Sequence, residues 1–343
     1  MSGANRPARP WLALLAATAL LLASAGAQAQ AAKDAPVAHD PSDAAEADVT
    51  NTDYRLQPRR VSDGVYMFEG RREHFNRGNG GNIVNTAFIE TPTGAIVIDT
   101  GPSHLYGDQM LAAIRQRTGG GALQIFITHA HPDHFLGNQA FAGVPVAALP
   151  ATIAAVQERG DRMTENLYGM LGGWMRGTRP QTPDKAVKPG RVQVGGRELE
   201  LISLSGHTGA DLVVFDVASG TLFTGDLVFF ERAPTTPDAD LTQWMAALDR
   251  LQALPFKALV PGHGPVVQGP QAIAQTRDYL RWLRDELTAA SLRGEDMSEV
   301  MRQPIPERFR QLGAVQDEYE RSVLHLYPAI EAKTLPALQR GGD

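Results

Sequence analysis

The stretch Thr128-His129-Ala130-His131-Pro132-Asp133-His134 sets three imidazoles and a carboxylate in six consecutive positions, directly after the largely apolar Leu123–Ile127. Neutral imidazole nitrogen and carboxylate oxygen are good ligands for zinc and its first-row neighbours. Three later segments share one design. Leu201–His207, Leu222–Asp226 and Ala258–His263 each carry a strand-like run into a glycine followed at once by His or Asp. A glycine there lets the backbone turn sharply and bring the ligand onto the rim of a sheet. Residues two apart in extended chain point the same way. His129 and His131 are therefore predicted to hold one ion, completed by His207. Pro132 turns the chain, so that Asp133 and His134 face a second ion, completed by His263. Asp226, with two oxygens to share, is the predicted bridge.

The surrounding pattern supplies a scaffold of alternating strands and helices. Val61–Phe68 reads as a strand entering a sheet, with Asp63-Gly64 as a turn before Val65–Phe68, Asn82–Ile89 as a second strand and Ala95–Ile98 as a third, ending in Asp99-Thr100-Gly101. A helix capped by Ser103 runs to the glycines at 119–121, and Leu123–Ile127 is a buried strand. Ala151–Thr178 reads as two helices broken at Gly169 and Gly172-Gly173, either packing on the core or forming a mobile lid. Gly195-Gly196 and Ser219-Gly220 mark hairpins, and helical spacing returns over Asp240–Leu254 and Pro270–Leu287. Short helices are expected beyond Arg293.

The first residues carry a secretory pattern: Arg6 and Arg9, the apolar run Trp11–Ala23, then Ala27-Gln28-Ala29. The expected division is a signal peptide over 1–29, a disordered leader over 30–52, a hydrolase domain over 53–290 and a helical extension over 291–343. An uncleaved N-terminal anchor is the alternative, although the run is shorter than the roughly 20 residues of a spanning helix. The expected location is periplasmic or secreted, with no integral membrane domain. The formal net charge is −6, and losing Arg6 and Arg9 with the signal takes it to −8, which argues against nucleic acid as a partner. The absence of cysteine removes disulfides, thiolate ligands and a Cys nucleophile. No Gly-x-Ser-x-Gly elbow is present either.

The order His-x-His-x-Asp-His, then Gly206-His207-Thr208, Gly225-Asp226 and Gly262-His263, resembles the metallo-β-lactamase superfamily over about Val61–Gly269. The resemblance implies an α/β fold, an αββα four-layer sandwich with the metal site at the edge of two packed sheets. It also implies that Asp99 supports the His loop without ligating. The best-known secreted metallo-β-lactamases use a cysteine at the second metal, where this chain offers Asp226. Glyoxalase II enzymes share all seven ligand types but carry a different C-terminal domain. Asn79–Asn85, His131–Asn138 and Asp226–Phe229 most resemble exported, SoxH-like zinc metallohydrolases of quinoprotein relay systems. That likeness implies a functional link to a periplasmic quinoprotein dehydrogenase.

The implied reaction is metal-assisted hydrolysis with two zinc ions, iron and manganese being the alternatives. Water on such ions loses a proton near pH 7, and the hydroxide attacks a carbonyl. Asp133 is the candidate to accept or relay that proton. The expected substrate is a small ester, thioester or lactone. The competing readings are a β-lactamase, a glyoxalase II-like thioesterase, a di-iron redox protein and a non-catalytic metal-binding module. His74, Arg72, Tyr168, Trp174 and Arg232 lie in segments able to border the site and are weaker candidates for substrate contact.

Overall fold

The computed structural model describes residues 52–340. The signal peptide and the leader up to residue 51 lie outside the described residues. Two sheets form the centre. The first has seven strands in sequential order: β1 (Arg59–Ser62), β2 (Val65–Phe68), β3 (Thr86–Thr91), β4 (Gly94–Ile98), β5 (Ala122–Phe126), β6 (Val146–Ala148) and β7 (Lys185–Ala186). It is antiparallel through β4 and parallel from there on. The second has the order β12-β11-β10-β9-β8, built from β8 (Gly190–Val194), β9 (Arg197–Leu204), β10 (Asp211–Asp216), β11 (Thr221–Phe223) and β12 (Ala258–Val260). The helices are α1 (His104–Thr118), α2 (Pro132–Phe135), α3 (Pro150–Leu171), α4 (Leu241–Gln252), α5 (Gln271–Arg293), α6 (Met297–Met301) and α7 (Val315–Arg340).

Strand alternation sorts the apolar side chains into three buried layers. Phe88, Val97 and Ile125 face outward, against Met110 and Ile114 of α1 and Leu167 and Leu171 of α3. Their neighbours Ile89, Ile96, Ile98 and Phe126 point inward and meet Leu199, Leu201, Leu212 and Val214 of the second sheet. The other face of that sheet, with Val213, Phe215 and Leu222, is covered by Trp244 and Leu248 of α4, Leu280 and Leu283 of α5, and Tyr319 and Val323 of α7. Each buried Leu, Ile or Val contributes about 1.5–3 kcal/mol relative to exposure. The result is the αββα sandwich, with the helix α7 sharing the outer core of the second sheet.

Three elements differ from the sequence expectation. Strand β3 begins at Thr86, not Asn82, because Asn85 turns away to bind the loop after β12. Its backbone N–H donates to Gly262 O (2.8 Å) and its amide to Pro261 O (2.9 Å). Ala151–Thr178 is one continuous helix to Leu171 followed by a single 3-10 turn, and Gly169 does not break it. Leu167, Leu171 and Met175 from this segment are buried in the first helix layer. The C-terminal region holds the 26-residue helix α7 after the short α6, because its apolar residues have a preformed sheet-and-helix surface to cover. No helix among the described residues is long and apolar enough to cross a membrane.

Candidate metal centre

The four loops leave the ends of β5, β9, β11 and β12, and they converge. His129, His131, His207 and Asp226 form one group and Asp133, His134 and His263 another, with candidate ligand atoms in each within 4.8 Å of one another. All seven predicted ligands are thus brought together, in the predicted grouping. Asp226 reaches both groups. Its Oδ2 lies 3.3 Å from His207 Nε2 and 3.3 Å from His263 Nε2, and its Oδ1 lies 3.2 Å from His134 Nε2. His263 Nε2 is also 3.4 Å from Asp133 Oδ2.

The far side of four of the five rings is fixed, which decides the nitrogen each leaves for a metal, whereas His207 Nδ1 is buried without a partner among the described residues. Asp99 accepts from His134 Nδ1 (2.8 Å), from Thr128 N (2.8 Å) and from Thr128 Oγ1 (2.8 Å). The Thr128 hydroxyl has spent its proton on Asp99, so it accepts from His129 Nδ1 at 3.0 Å. His263 Nδ1 donates to the Ile83 carbonyl (2.7 Å), and His131 Nε2 donates to Asp238 Oδ2 (3.0 Å). His129, His134 and His263 therefore present Nε2, whereas His131 presents Nδ1. Carboxylate and carbonyl partners of this kind orient a ligating ring and raise its basicity. Asp99 sits at φ 56, an uncommon conformation for a non-glycine residue, which turns its carboxylate back under the His loop.

A cation fits this donor set. His129 Nε2, His134 Nε2 and Asp226 Oδ1 are buried and have no hydrogen-bond partner among the described residues. A buried polar atom left so costs about 1–3 kcal/mol unless something satisfies it. Burial holds His129 and His207 far below the ordinary imidazole range, in the neutral form that ligation requires. Burial also acts to lower His134, but Asp226, Asp99 and Asp133 outweigh it and push that imidazole well above its usual range in the metal-free chain. Burial likewise opposes charge on Asp226, yet His263, His134 and His207 keep it ionised. A metal ion takes over the role those protons play.

The glycines have two separate reasons. Gly225 adopts φ 50, a left-handed turn. At Gly262 the constraint is space, since a Cβ would lie 1.9 Å from Asp226 Oδ1. Gly262→Ala is expected to displace Asp226 and lower metal occupancy and activity at least 10–100-fold. Metal analysis and turnover on the same purified sample check this.

A cavity of about 380 Å³ opens onto the centre, lined in part by His131, Asp133, Asp226 and His263. Among the weaker candidates, Arg232 lines it. The Arg232 guanidinium, however, is engaged with Glu318 Oε1 (3.0 Å) and the Ala233 carbonyl (3.2 Å). His74 and Arg72 line a neighbouring cavity, where Arg72 pairs with Glu231. Trp174 packs on Tyr54 with centroids 4.6 Å apart and donates to Arg77 O (2.9 Å), while Tyr168 is exposed; neither lines the cavity at the centre. Asp238, Arg162, Arg321 and His325 line it without having been anticipated. Asp238 lies 107 residues from His131, and only its Pro-rich loop, Pro234–Pro237, hinted at an ordered segment. Removing it by Asp238→Ala is expected to weaken metal binding about 10–100-fold, read from chelator competition.

The ligand order and the convergence of the loops are matched by a known family model. The metallo-beta-lactamase superfamily model aligns with residues 79–263. The chain belongs to the metallo-β-lactamase superfamily. Its fold and its two His/Asp clusters, which could hold metal ions, match that superfamily. The chain is 23% identical over 243 residues to the linear primary-alkylsulfatase of Pseudomonas sp., covering 58% of this chain and 45% of the alkylsulfatase. It is 27% identical to the acyl-coenzyme A thioesterase MBLAC2 of Bos taurus over 60% of this chain and 80% of the thioesterase. Among solved structures, a metallo-β-lactamase from Pontibacter korlensis superposes with a TM-score of 0.55 at 27% identity, over 66% of this chain and 99% of that one. The chain thus spans less than half the length of the alkylsulfatase.

Proposed function

We propose that this superfamily member is a binuclear zinc hydrolase that breaks the acyl C–O or C–S bond of a small ester or thioester by attack of hydroxide at its carbonyl carbon. The observation that carries the reading is the pair of His/Asp ligand sets meeting at Asp226 on the wall of a cavity of small-molecule size. The likeness to a named acyl-coenzyme A thioesterase supports a thioester. The imidazole-rich set suits zinc. Two bound ions would supply a water acidified to about pH 7 and a Lewis acid for the carbonyl oxygen.

The chain's own residues do the rest. His129, His131 and His207 would hold one ion and Asp133, His134 and His263 the other, with Asp226 near enough to both groups to serve either. Asp133, whose Oδ2 lies 3.4 Å from His263 Nε2, would be the group to accept or relay a proton there. Asp99, Thr128, Asp238 and the Ile83 carbonyl keep the rings from rotating.

A periplasmic setting is supported by the signal pattern in residues 1–29, and a link to a quinoprotein dehydrogenase by the segments quoted above. Lactam hydrolysis is the second reading, favoured by the similarity to the Pontibacter korlensis metallo-β-lactamase. Purified protein with its metal content measured, assayed on an S-acyl thiol and on a carbapenem, separates them. Thioester turnover with two zinc ions is expected. Lactam turnover alone would reverse the order, and two irons with a visible absorption band would overturn the zinc hydrolase.

A further inference from the structure

Tyr54 is the first buried side chain of the described residues. Asp53 Oδ1 accepts from Arg55 N (2.8 Å) in a local turn, and Tyr54 N donates to Gln109 Oε1 of α1 (3.0 Å). The Tyr54 ring packs on Tyr106 and Trp174, with centroids 5.1 and 4.6 Å away. Its hydroxyl donates to the Gly80 carbonyl (2.8 Å) and, that proton spent, accepts from Ser103 Oγ (2.9 Å). Gly80 belongs to a tight turn. Gly80 N donates to Asn76 O (3.0 Å), Asn82 N to Asn79 O (3.0 Å) and Ile83 N to Gly81 O (2.8 Å). A Cβ on Gly80 would lie 2.4 Å from the Trp174 ring, and one on Gly81 would lie 2.7 Å from Leu171 Cδ1. The turn is therefore pressed against the end of α3 and has no room to shift that way. Three residues past Gly80, the Ile83 carbonyl accepts from His263 Nδ1 at 2.7 Å.

We propose that Tyr54 is a positioning residue for His263. Its hydroxyl fixes the Gly80 carbonyl, the turn carries that restraint to the Ile83 carbonyl, and the carbonyl holds the imidazole with Nε2 toward Asp133 and His134. Partners that hold the far nitrogen of a ligating imidazole set its tautomer and orientation. The rings of His129 and His131 are held instead by Thr128 and Asp238, on other segments. Tyr54 thus bears on one metal group of the two, whatever the substrate. Trp174 shares in this role, since its ring backs both Tyr54 and Gly80. The competing restraint is Asn85, whose amide donates to Pro261 O (2.9 Å) and Gly264 O (2.6 Å) around His263. If Asn85 alone fixed Ile83, Tyr54 would be dispensable.

Tyr54→Phe keeps the ring and deletes the donor, and the metal-free full chain reports the consequence directly. In protein carrying nitrogen-labelled histidine, the His263 Nδ1 proton is identified by its absence in His263→Gln. It is expected to exchange with solvent about tenfold faster in Tyr54→Phe than in the wild type. Cadmium titration followed by cadmium NMR gives a second readout. Two resonances are expected in the wild type, and the one that His263→Gln removes is expected to bind about tenfold more weakly in Tyr54→Phe, with the other unchanged. Unchanged exchange would overturn the proposal and leave Ile83 to Asn85. Equal weakening of both ions would mean a general loss of structure and also overturn it. If cadmium fills one site only, the exchange measurement decides.

Discussion

Asp226→Ala lowers bound metal below two ions per chain and reduces hydrolysis by on the order of 10³-fold, the equivalent of several kcal/mol of lost electrostatic catalysis. Its two oxygens face both groups, with His207, His263 and His134 at 3.2–3.3 Å. Without it, the buried imidazoles lose the anion that would offset the charge of the metal ions they are proposed to hold. The effect should exceed that of any single histidine substitution, since each imidazole serves one ion only. Metal quantitation by mass spectrometry beside the turnover assay tests this, with circular dichroism to show that the fold persists. Two retained ions with unimpaired turnover would refute the bridging role.

Glu318→Ala lowers stability by about 3–5 kcal/mol, because it leaves the buried Arg232 guanidinium without its counter-charge. The carboxylate also accepts from Thr235 Oγ1 (2.8 Å) and holds Arg321, so α7 and the loop that follows the Asp226 turn come apart together. The thermal midpoint should fall on the order of 10 °C. The loss reflects an unpaired charge more than the worth of the pair. Replacing both partners, as Glu318→Leu with Arg232→Met, should therefore recover most of it. Failure of the double variant to recover would mean that the hydrogen bonds to Thr235 and the backbone dominate.

The consequences for the site differ between the two variants. Arg232 lies 5.7 Å over the Phe229 ring, and that ring stacks on His263 at 5.1 Å with an interplanar angle of 4°. Disturbance at Glu318 thus reaches a metal ligand through packed side chains, and Glu318→Ala is expected to weaken metal binding modestly as well. Asp226→Ala acts on the ligand set directly.

The sequence alone pointed to the seven candidate ligands and their division into two groups. His129, His131, Asp133 and His134 are fixed relative to one another by six residues of local backbone, and His207, Asp226 and His263 each follow a strand and a glycine. Such relations depend on strand periodicity and turn geometry, which are local properties. That Ala95–Ile98 and Leu123–Ile127 are buried strands was legible for the same reason, but a run apolar on both faces does not say which layer each face meets. Tertiary structure decided what surrounds the ligands. The Ile83 carbonyl that orients His263 belongs to the main chain and carries no side-chain signature, and Asp238 meets His131 across 107 positions. The early end of β3 and the length of α7 also depended on partners distant in the chain. Arg321 and Glu318 look like ordinary surface charges on a helix when read along the sequence. Arg321 comes to line the cavity at the candidate metal centre, and Glu318 to be buried against Arg232, only because α7 has an apolar face that packs against the second sheet's outer core.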